Sequence, residues 1–460
     1  MAATAALKKG TELFSGAGVA GAYARRLLDD LGLAPARAIE PSDEHPALSW
    51  ASSGLMQLTG RADGPPQRCP VPLAACADGV LAALASLAPA TAFAGLRGSQ
   101  LLGERAAITG ATRNGSISPG GSCRLLECAD GWIALNLARE DDVSLVPAWL
   151  ERDVEPQWDA IIIAVRGRNA RELVERGREL GLAVALDEVP PAPDSWFSAS
   201  SPRKRGSMDD RLRGHDEVRV VDLSSLWAGP LCGHLLQRMG ADVIKVESTA
   251  RPDGARAGPP AFFDLLNGGK ASVALDFASR RGREQLRALI SGADIVIEAS
   301  RPRALRQLGI DAEEFVAANP GLTWLSITAH GRDPARENWI GYGDDAGVAA
   351  GLSRLMFEAT GEHLIVGDAI GDPLTGLHAA LAAWGTHLTG GGLVSLSLSG
   401  VVGHLINWGQ TTHTSRFGDR PRYEGNGGLT PISLTPISRP RARLPQGIAR
   451  PLGADTVVYS

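Results

Sequence analysis

The chain contains few of the residues that mark disulfide-rich, metal-binding or membrane proteins. Only 5 of its 460 residues are cysteine, and their irregular spacing forms no zinc-ligand pattern. An odd number of scattered cysteines indicates reduced thiols, so we expect a cytoplasmic protein without a bound metal. No apolar run approaches the roughly 18 residues of a membrane-spanning helix. The N-terminus also lacks the apolar core of a secretory signal.

The sequence also lacks an excess of positive charge. Lys and Arg number 46 against 51 for Asp and Glu, which gives a formal net charge of −5. Because nucleic-acid-binding domains usually carry a basic excess, nucleic acid is not an expected partner. Aromatic residues make up only 5%, whereas glycine is abundant with 55 residues. These glycines lie between apolar runs and therefore indicate many tight turns rather than disorder.

Composition divides the chain into four parts. Residues 191–216 are rich in Pro, Ser and charge, which is typical of a linker. Before it, residues 1–190 form a first half with a helical segment and a small α/β module. After it, residues 217–400 form a larger α/β domain. We interpret residues 401–460 as an extended C-terminal arm.

The larger domain alternates predicted strands with predicted helices. Short apolar runs predict strands at 218–223, 241–247, 272–277, 294–298 and 322–328. Helical patterns separate or follow them at 230–239, 280–291, 302–318 and 373–388. This alternation is typical of a parallel sheet with helices on both faces.

The first half has a different pattern. The sequence predicts a helix at 82–88, a hairpin at 125–137, a strand at 159–165, a helix at 170–180 and a strand at 182–186. Together the hairpin and the later elements indicate a small α/β module.

The two halves share short patterns at two fixed offsets. Ala20, Gly21 and Gly32 recur 208 residues later as Ala228, Gly229 and Gly240. Gly54 and Gly79 recur 297 residues later as Gly351 and Gly376. The two offsets differ by about the length of a nucleotide-binding domain. We therefore interpret the first half as a copy of the second half that has lost most of that domain. Coincidence among common residues is the alternative.

Several segments resemble one enzyme family in their residues and in their order. The sequence VVDLSSLWAGPLCGHLLQRMGADVIKVES (220–248) closely resembles the opening strand, turn, helix and second strand of class III CoA-transferases. This superfamily includes formyl-CoA and carnitine-CoA transferases and 2-methylacyl-CoA racemases. Further resemblances follow in the family's order at 265–277, 293–310, 319–331, 371–384, 388–402 and 437–456. In the first half, 52–66 and 128–137 resemble the family's middle segment and small domain.

The resemblance implies a fold and an activity. The fold is α/β and CoA-transferase III-like: a parallel nucleotide-binding sheet with helices on both faces in 217–400, plus a small α/β domain. The resemblance also implies that residues 1–190 are a degenerate half that is similar to the family. The implied activity is that of an acyl-CoA:carboxylate CoA-transferase, with a coenzyme A thioester as substrate and no tightly bound cofactor. Because family members form interlocked dimers, the chain is expected to be a homodimer or a self-contained pseudo-dimer.

Asp372 is the implied catalytic residue, because the family places its aspartate in a turn like GDPLTG (371–376). A carboxylate can attack a thioester carbonyl where water is excluded. Backbone N–H groups around Gly371 and Gly376 are the expected oxyanion donors. Spacing alone favours a simple helix cap, since Asp followed by Pro is a normal N-cap pair. The offset of 297 places Ala75 at the equivalent position, so one reactive carboxylate is expected where a dimer has two.

The turn 226–229 (Leu226, Trp227, Ala228, Gly229) is the expected coenzyme A contact. Such turns lie at the carboxyl edge of a parallel sheet, where the next helix directs its N-terminus at phosphate. Phosphates also attract basic side chains, and the candidates near the strand ends are Arg251, Arg256, Lys270, Arg301, Arg303 and Arg306. Each of these also fits a solvated basic surface. Ala299 and Ser300, which stand where the family has Asn-Phe, are expected to line the same edge.

Two other functions stay open. A 2-methylacyl-CoA racemase or isomerase pairs a histidine with the aspartate to move an α-proton, and the racemases' GHDINY motif is absent from 340–345 (IGYGDD). His330 stands where the family has an aromatic residue, and we interpret it as structural; His378 is interpreted as a packing residue. A non-catalytic CoA-binding protein is the third possibility, because the first half is truncated and the binding loops are altered.

Overall fold

The protein is described by a computed structural model, which defines residues 18–38, 41, 44–193, 195–200, 218–416 and 437–459. Much of the linker predicted over 191–216 therefore lies outside the described residues, as does 417–436 of the predicted C-terminal arm.

Helices occupy more of the described chain than strands do. They are α1 (Val19–Asp30), α2 (Pro46–Ser52), α3 (Leu73–Leu87), α4 (Gly98–Leu101), α5 (Glu104–Thr109), α6 (Glu140–Ser144), α7 (Val146–Leu150), α8 (Trp158–Val165), α9 (Ala170–Leu180), α10 (Ala228–Arg238), α11 (Pro260–Asn267), α12 (Arg280–Ser291), α13 (Pro302–Gln307), α14 (Ala312–Ala318), α15 (Gly343–Ala349), α16 (Leu352–Thr360), α17 (Gly371–Leu388), α18 (Leu398–Arg416) and α19 (Thr456–Tyr459). Turns of 3₁₀ helix lie at Leu55–Leu58 and Gly254–Ala257.

The strands form two sheets. They are β1 (Cys123–Glu127), β2 (Trp132–Asn136), β3 (Ala183–Leu186), β4 (Ser198–Ala199), β5 (Arg219–Asp222), β6 (Asp242–Ser248), β7 (Ala271–Leu275), β8 (Ile295–Glu298), β9 (Thr323–Thr328) and β10 (Gly392–Ser397). The predicted hairpin is confirmed, because β1 and β2 pair antiparallel and β3 joins them as the third strand of the small sheet.

The larger sheet has the order β4-β10-β9-β8-β5-β6-β7. Neighbours from β10 to β7 are parallel, and β4 pairs antiparallel with β10 at the edge. Strand β8 is buried along its whole length, which is typical of a parallel strand covered on both faces. The strand order reverses between β5 and β8, and this crevice is where open α/β sheets bind ligands. The predicted α/β fold is therefore confirmed.

The strand predicted over 159–165 is wrong, because the chain forms helix α8 there. Its buried residues are Ile161, Ala164 and Val165, a spacing of three and four that places them on one helix face. Ile163 points the other way and is 75% exposed. A run of apolar residues this short does not distinguish a strand from a helix by itself. The helix covers the small sheet and completes a local core.

Two helix pairs pack in the same manner. A Cβ at Gly79 of α3 would lie 2.6 Å from the Ala20 carbonyl oxygen of α1. A Cβ at Gly376 of α17 would lie 2.7 Å from the Ala228 carbonyl oxygen of α10. Only glycine allows each pair to approach so closely. The contacts join positions related by the offsets of 208 and 297, and all four helices contribute to one hydrophobic core.

The C-terminal residues connect the two halves. The chain is helical over α18, so the extended arm predicted from 401 begins later than expected. The described part of that arm hydrogen-bonds at one end to the first half, where the Ser438 N–H donates to the Ala51 carbonyl at 3.1 Å. At the other end the Asp455 carboxylate accepts from the Ser272 N–H of β7 at 2.8 Å. Among the described helices, none combines the length and apolarity that a membrane span needs.

Candidate active site

Asp372 lies in the first turn of α17 with its side chain partly exposed. Its Oδ2 accepts a hydrogen bond from the Gly343 N–H at 3.0 Å, and this N–H belongs to the first residue of α15. Burial raises the pKa of Asp372 to about 6, and the nearby Arg105 guanidinium limits that rise. The carboxylate is thus held at the meeting point of two helix N-termini, where negative charge is favoured.

The loop before α17 has a strained conformation that sets the position of Asp372. Ala369 has a φ of 45°, which is the left-handed region that glycine normally occupies. Its N–H donates to Asp344 Oδ1 at 2.8 Å, and its carbonyl accepts from the Asp372 N–H at 2.9 Å. A Cβ at Gly343 would overlap that same carbonyl oxygen. The loop and the start of α15 therefore hold each other through reciprocal hydrogen bonds.

Three further carboxylates surround this loop. Asp344, Asp345 and Asp368 are all buried. Burial raises the pKa of both Asp344 and Asp345 to about 7. Asp345 accepts hydrogen bonds from the Asn136 side chain at 2.9 Å and from the Tyr342 N–H at 3.0 Å. Within the described ranges, no group of three or more acidic, histidine or cysteine side chains has a metal-binding arrangement.

Arg105 is the cation of this cluster, and it comes from α5 of the first half. Its Nε and Nη2 donate to the two oxygens of Asp368 at 2.9 and 2.5 Å. Its guanidinium lies over the Trp227 ring, 5.1 Å from the ring centroid. Sequence analysis missed Arg105, because no motif marks it and its partner lies 263 residues away.

The turn 226–229 lies beside β8 at the switch point of the large sheet. Leu226 has a φ of 70° and is 42% exposed, and its N–H donates to Asp253 Oδ1 at 2.9 Å. Trp227, Ala228 and Gly229 are buried. Of the predicted contacts in this turn, Leu226 is therefore the one whose side chain reaches solvent. Ala299, which is exposed, and the half-buried Ser300 follow β8 directly.

The prediction that Lys270 contacts phosphate is wrong. The side chain is 1% exposed, and its Nζ donates to Asp222 Oδ2 at 2.8 Å and to the Pro230 carbonyl at 2.9 Å. Burial lowers its pKa, and the Asp222 carboxylate opposes that change. A buried ammonium needs such a partner, so Lys270 braces the sheet beneath the turn instead of reaching a ligand.

The predicted arginines fall into two groups. Arg256 and Arg306 are already paired with carboxylates: Arg256 with Glu247 at 2.6 Å, and Arg306 with Glu337 at 3.1 Å. These contacts favour a structural role.

The second group is Arg251, Arg301 and Arg303, which are all exposed. Within the described ranges, no carboxylate lies at ion-pair distance from any of them. Burial lowers the pKa of Arg301, and the positive charges of Arg303, Arg139 and Arg251 add to this effect. Arg251, Arg301 and Arg303 therefore place positive charge at the strand ends. Arg139 of the small domain also acts on Arg301, although its own charge is paired with Asp142 at 2.6 Å.

Gly376 is not an oxyanion donor. It lies one turn inside α17, where its N–H belongs to the internal helix ladder, and its Cα faces α10. Gly371 is the first residue of α17, so its N–H is among those at the open end of the helix. His378 is buried and bonds the Tyr23 hydroxyl at 2.8 Å, which confirms its packing role. Burial lowers the pKa of His330 to about 3 and keeps it neutral.

Comparison with known proteins shows which family part of the chain resembles. Residues 216–433 match the profile described as CoA-transferase family III. This region, just under half of the chain, is similar to CoA-transferase family III. The succinate–glutarate CoA-transferase of Agrobacterium fabrum (strain C58) is 33% identical over 178 residues, which cover 36% of this chain and 44% of that protein. The formyl-CoA:oxalate CoA-transferase of Rhodopseudomonas palustris (strain TIE-1) is 35% identical over 188 residues, covering 38% and 44%.

A solved structure of a hypothetical protein from Mycobacterium tuberculosis has 28% identity and a TM-score of 0.40, and covers 44% of this chain and 60% of that one. The matches to the two curated relatives span less than half the length of each relative. The family III region contains Asp372 and the turn 226–229, whereas Arg105 and Asn136 precede it. The first half thus adds groups to the site from outside the matched region.

Proposed function

We propose that this protein transfers coenzyme A from an acyl-CoA thioester to a carboxylic acid, with Asp372 as a covalent nucleophile. The observation that carries the proposal is the position of Asp372: a half-buried aspartate at the start of a long helix within the region that matches family III. At neutral pH a carboxyl group with a pKa of about 6 is mostly ionised and able to attack.

The reaction needs no external oxidant or reductant. An Asp372 oxygen attacks the thioester carbonyl carbon, the carbon–sulfur bond breaks, and a mixed anhydride and a CoA thiolate result. The thiolate attacks the Asp372 carbonyl carbon, which releases the donor acid as a carboxylate and leaves an aspartyl-CoA thioester. The acceptor carboxylate then repeats the two steps in reverse, so that the acceptor leaves as its CoA thioester and Asp372 is restored.

The charge distribution supports this assignment. Arg251, Arg301 and Arg303 are suited to the phosphates of coenzyme A, because they are exposed and form no ion pairs within the described ranges. Leu226 and Ala299 lie on the two sides of the switch point, and both expose apolar surface that suits contact with a nucleotide. The reactive carboxylate and the phosphate-binding group are thereby assigned to the same edge of the sheet.

We also propose that the chain is a self-contained pseudo-dimer with one reactive carboxylate. The equivalent glycine contacts of the pairs α1–α3 and α10–α17 support this arrangement. Gly54 and Gly351, which are related by the same offset, both have a left-handed φ at the start of a helical turn. At the position equivalent to Asp372 the first half has the buried Ala75.

The test is transfer by the purified protein, followed by mass spectrometry. Succinyl-CoA with glutarate and formyl-CoA with oxalate are the first probes, because relatives carry those names. We expect a new acyl-CoA, loss of activity in hydroxylamine, and a hydroxamate at Asp372. Asp372→Asn should lower transfer at least about 10³-fold, as expected for a lost nucleophile.

Asp311→Asn is the matched control, because Asp311 caps α14 through the Glu314 N–H and lies outside the site. It should transfer at the wild-type rate. Near wild-type transfer by Asp372→Asn would eliminate the mechanism. Epimerisation of a 2-methylacyl-CoA without hydroxylamine sensitivity would instead support the racemase alternative. Binding of CoA thioesters without turnover would support a non-catalytic protein.

A further inference from the structure

Arg105 has hydrogen-bonding capacity that its structural partner does not use. Asp368 occupies the Nε and Nη2 edge of the guanidinium. Among the described residues, Nη1 donates no hydrogen bond. The Arg105 side chain is 31% exposed, whereas that of Asp368 is 1% exposed. The guanidinium therefore pairs with a buried carboxylate on one edge and is accessible on the other.

The plane of the guanidinium is fixed before any ligand arrives. Asp368 holds one edge, and the Trp227 ring lies 5.1 Å from the central carbon. A guanidinium held in this way loses little conformational freedom when it binds a second anion. Asp368 lies in the short loop that leads to Asp372, so the ion pair places the guanidinium near the start of α17. The Arg105 charge also acts on Asp372.

We propose that the Nη1 edge of Arg105 binds the carboxylate of the acceptor acid and directs it at the carbonyl carbon carried by Asp372. This inference rests on the transferase function proposed above. It assigns a ligand class, a carboxylate, to a residue of the first half. Arg105 precedes the region that matches the family III profile, which begins at residue 216.

The charges of the site explain why such a cation is needed. Asp368 lies in the loop 366–372, and Asp344 and Asp345 lie beside it. Above about pH 7, where Asp344 and Asp345 are mostly ionised, these groups repel an incoming carboxylate. Arg105 offsets this repulsion where the acceptor must approach Asp372. A guanidinium binds carboxylates through paired, charge-assisted hydrogen bonds, so it suits this task better than a lysine. The same edge then stabilises the oxyanion that forms when the acceptor attacks.

The test compares Arg105→Gln and Arg105→Lys with the wild-type protein, using succinyl-CoA and glutarate as probes. In Arg105→Gln we expect the KM for glutarate to rise about 10- to 100-fold, as expected for losing hydrogen bonds to a charged group. The KM for succinyl-CoA should change less than about threefold on the same basis. Arg105→Lys should recover part of the loss. Calorimetric titration of glutarate alone should show the same order of affinities.

Arg97→Gln is the matched control, because Arg97 also belongs to the first half and pairs with two carboxylates, Glu44 and Asp78. It should leave both KM values unchanged. If Arg105→Gln does not fold, the double variant Arg105→Gln, Asp368→Asn is measured instead. This double variant replaces the ion pair by a pair of neutral amides.

Unchanged glutarate affinity in the Arg105 variants would overturn the inference, and so would an equal rise in both KM values. Absence of glutarate binding to the wild-type protein would overturn it as well. Failure of the proposed function would give a different result. The wild-type protein would then bind glutarate through Arg105 but form no hydroxamate at Asp372.

Discussion

The buried carboxylates Asp344 and Asp345 make the stability of the protein depend on pH. An aspartate in an unfolded chain has a pKa of about 3.9, whereas burial raises that of each of these groups to about 7. The folded state therefore binds protons more tightly than the unfolded state. Stability from this source is full below about pH 4 and is lost as the pH rises through about 7. Asp345 Oδ2 has no hydrogen-bond partner among the described residues, which explains its preference for the protonated form.

Asp345→Asn should flatten this pH dependence. The amide is almost the same shape, and its oxygen can keep the bonds from Asn136 and the Tyr342 N–H. We expect the variant to be more stable than wild type at pH 8 by a few kcal/mol at most, on the order of 1.4 kcal/mol per pKa unit. The measurement is urea unfolding from pH 5 to 8. The exposed control Asp141→Asn should show the wild-type slope. An unchanged slope in Asp345→Asn would contradict the assignment.

Helix pairs that meet through a glycine form the centre of the fold. Gly376 brings α17 against α10, and this contact sets the distance from the helix that carries Asp372 to the turn at 226–229. Gly79 does the same for α3 and α1. The glycine costs some helix propensity, and the close approach compensates through packing. The position of Asp372 relative to the large sheet thus depends on a residue one turn further along its own helix.

Gly376→Ala and Gly79→Ala should both destabilise the protein. In each variant the new methyl group meets a backbone carbonyl oxygen, which cannot move aside as a side chain can. We expect a loss of about 1–3 kcal/mol in the free energy of unfolding. Transfer activity should fall more for Gly376→Ala, because that change shifts the helix that carries Asp372. Gly403→Ala in α18 is the control, since its Cβ would make an ordinary contact of 3.4 Å with Pro193. Equal stability of all three variants would refute the packing argument.

Contacts across the whole chain hold the two halves in one body. Arg443 of the C-terminal segment pairs with Glu104 of α5 at 2.9 Å, and both side chains are almost completely buried. Glu104 directly precedes Arg105 in α5. The C-terminal segment therefore also stabilises the helix that carries Arg105. Burial raises the pKa of Glu104, and Arg443 opposes that rise. The ion pair therefore couples the C-terminal segment to the geometry around Asp372.

Glu104→Gln should be strongly destabilising. It leaves the Arg443 guanidinium buried without its counter-charge, which typically costs about 3–5 kcal/mol. Replacing both partners, as in Glu104→Gln with Arg443→Met, should recover part of the loss, because a neutral pair avoids the unpaired charge. Denaturant unfolding of the two single variants and the double variant completes the cycle. Additive losses would show that the two side chains do not interact.

Much of the fold followed from local patterns in the sequence. The apolar runs at 241–247 and 322–328 form strands β6 and β9, and 280–291 forms α12. Asp372 was singled out because its turn resembles the family's, and it lies in the first turn of α17, whose N-cap is Ile370. These features depend on residues close together in the chain, where periodicity, turn chemistry and motif order carry the information.

Only the tertiary structure decided which charged side chains from distant parts of the chain pair with one another. Lys270 resembled a phosphate ligand, but the fold places it inside the sheet against Asp222. No sequence motif marked Arg105, yet the packing of α5 places it against Asp368 and the Trp227 ring. Whether a charged side chain is buried, paired or accessible depends on which elements pack around it. The sequence by itself determined the sheet, its helices and the turn that bears Asp372, whereas packing between the halves determined which cation stands beside it.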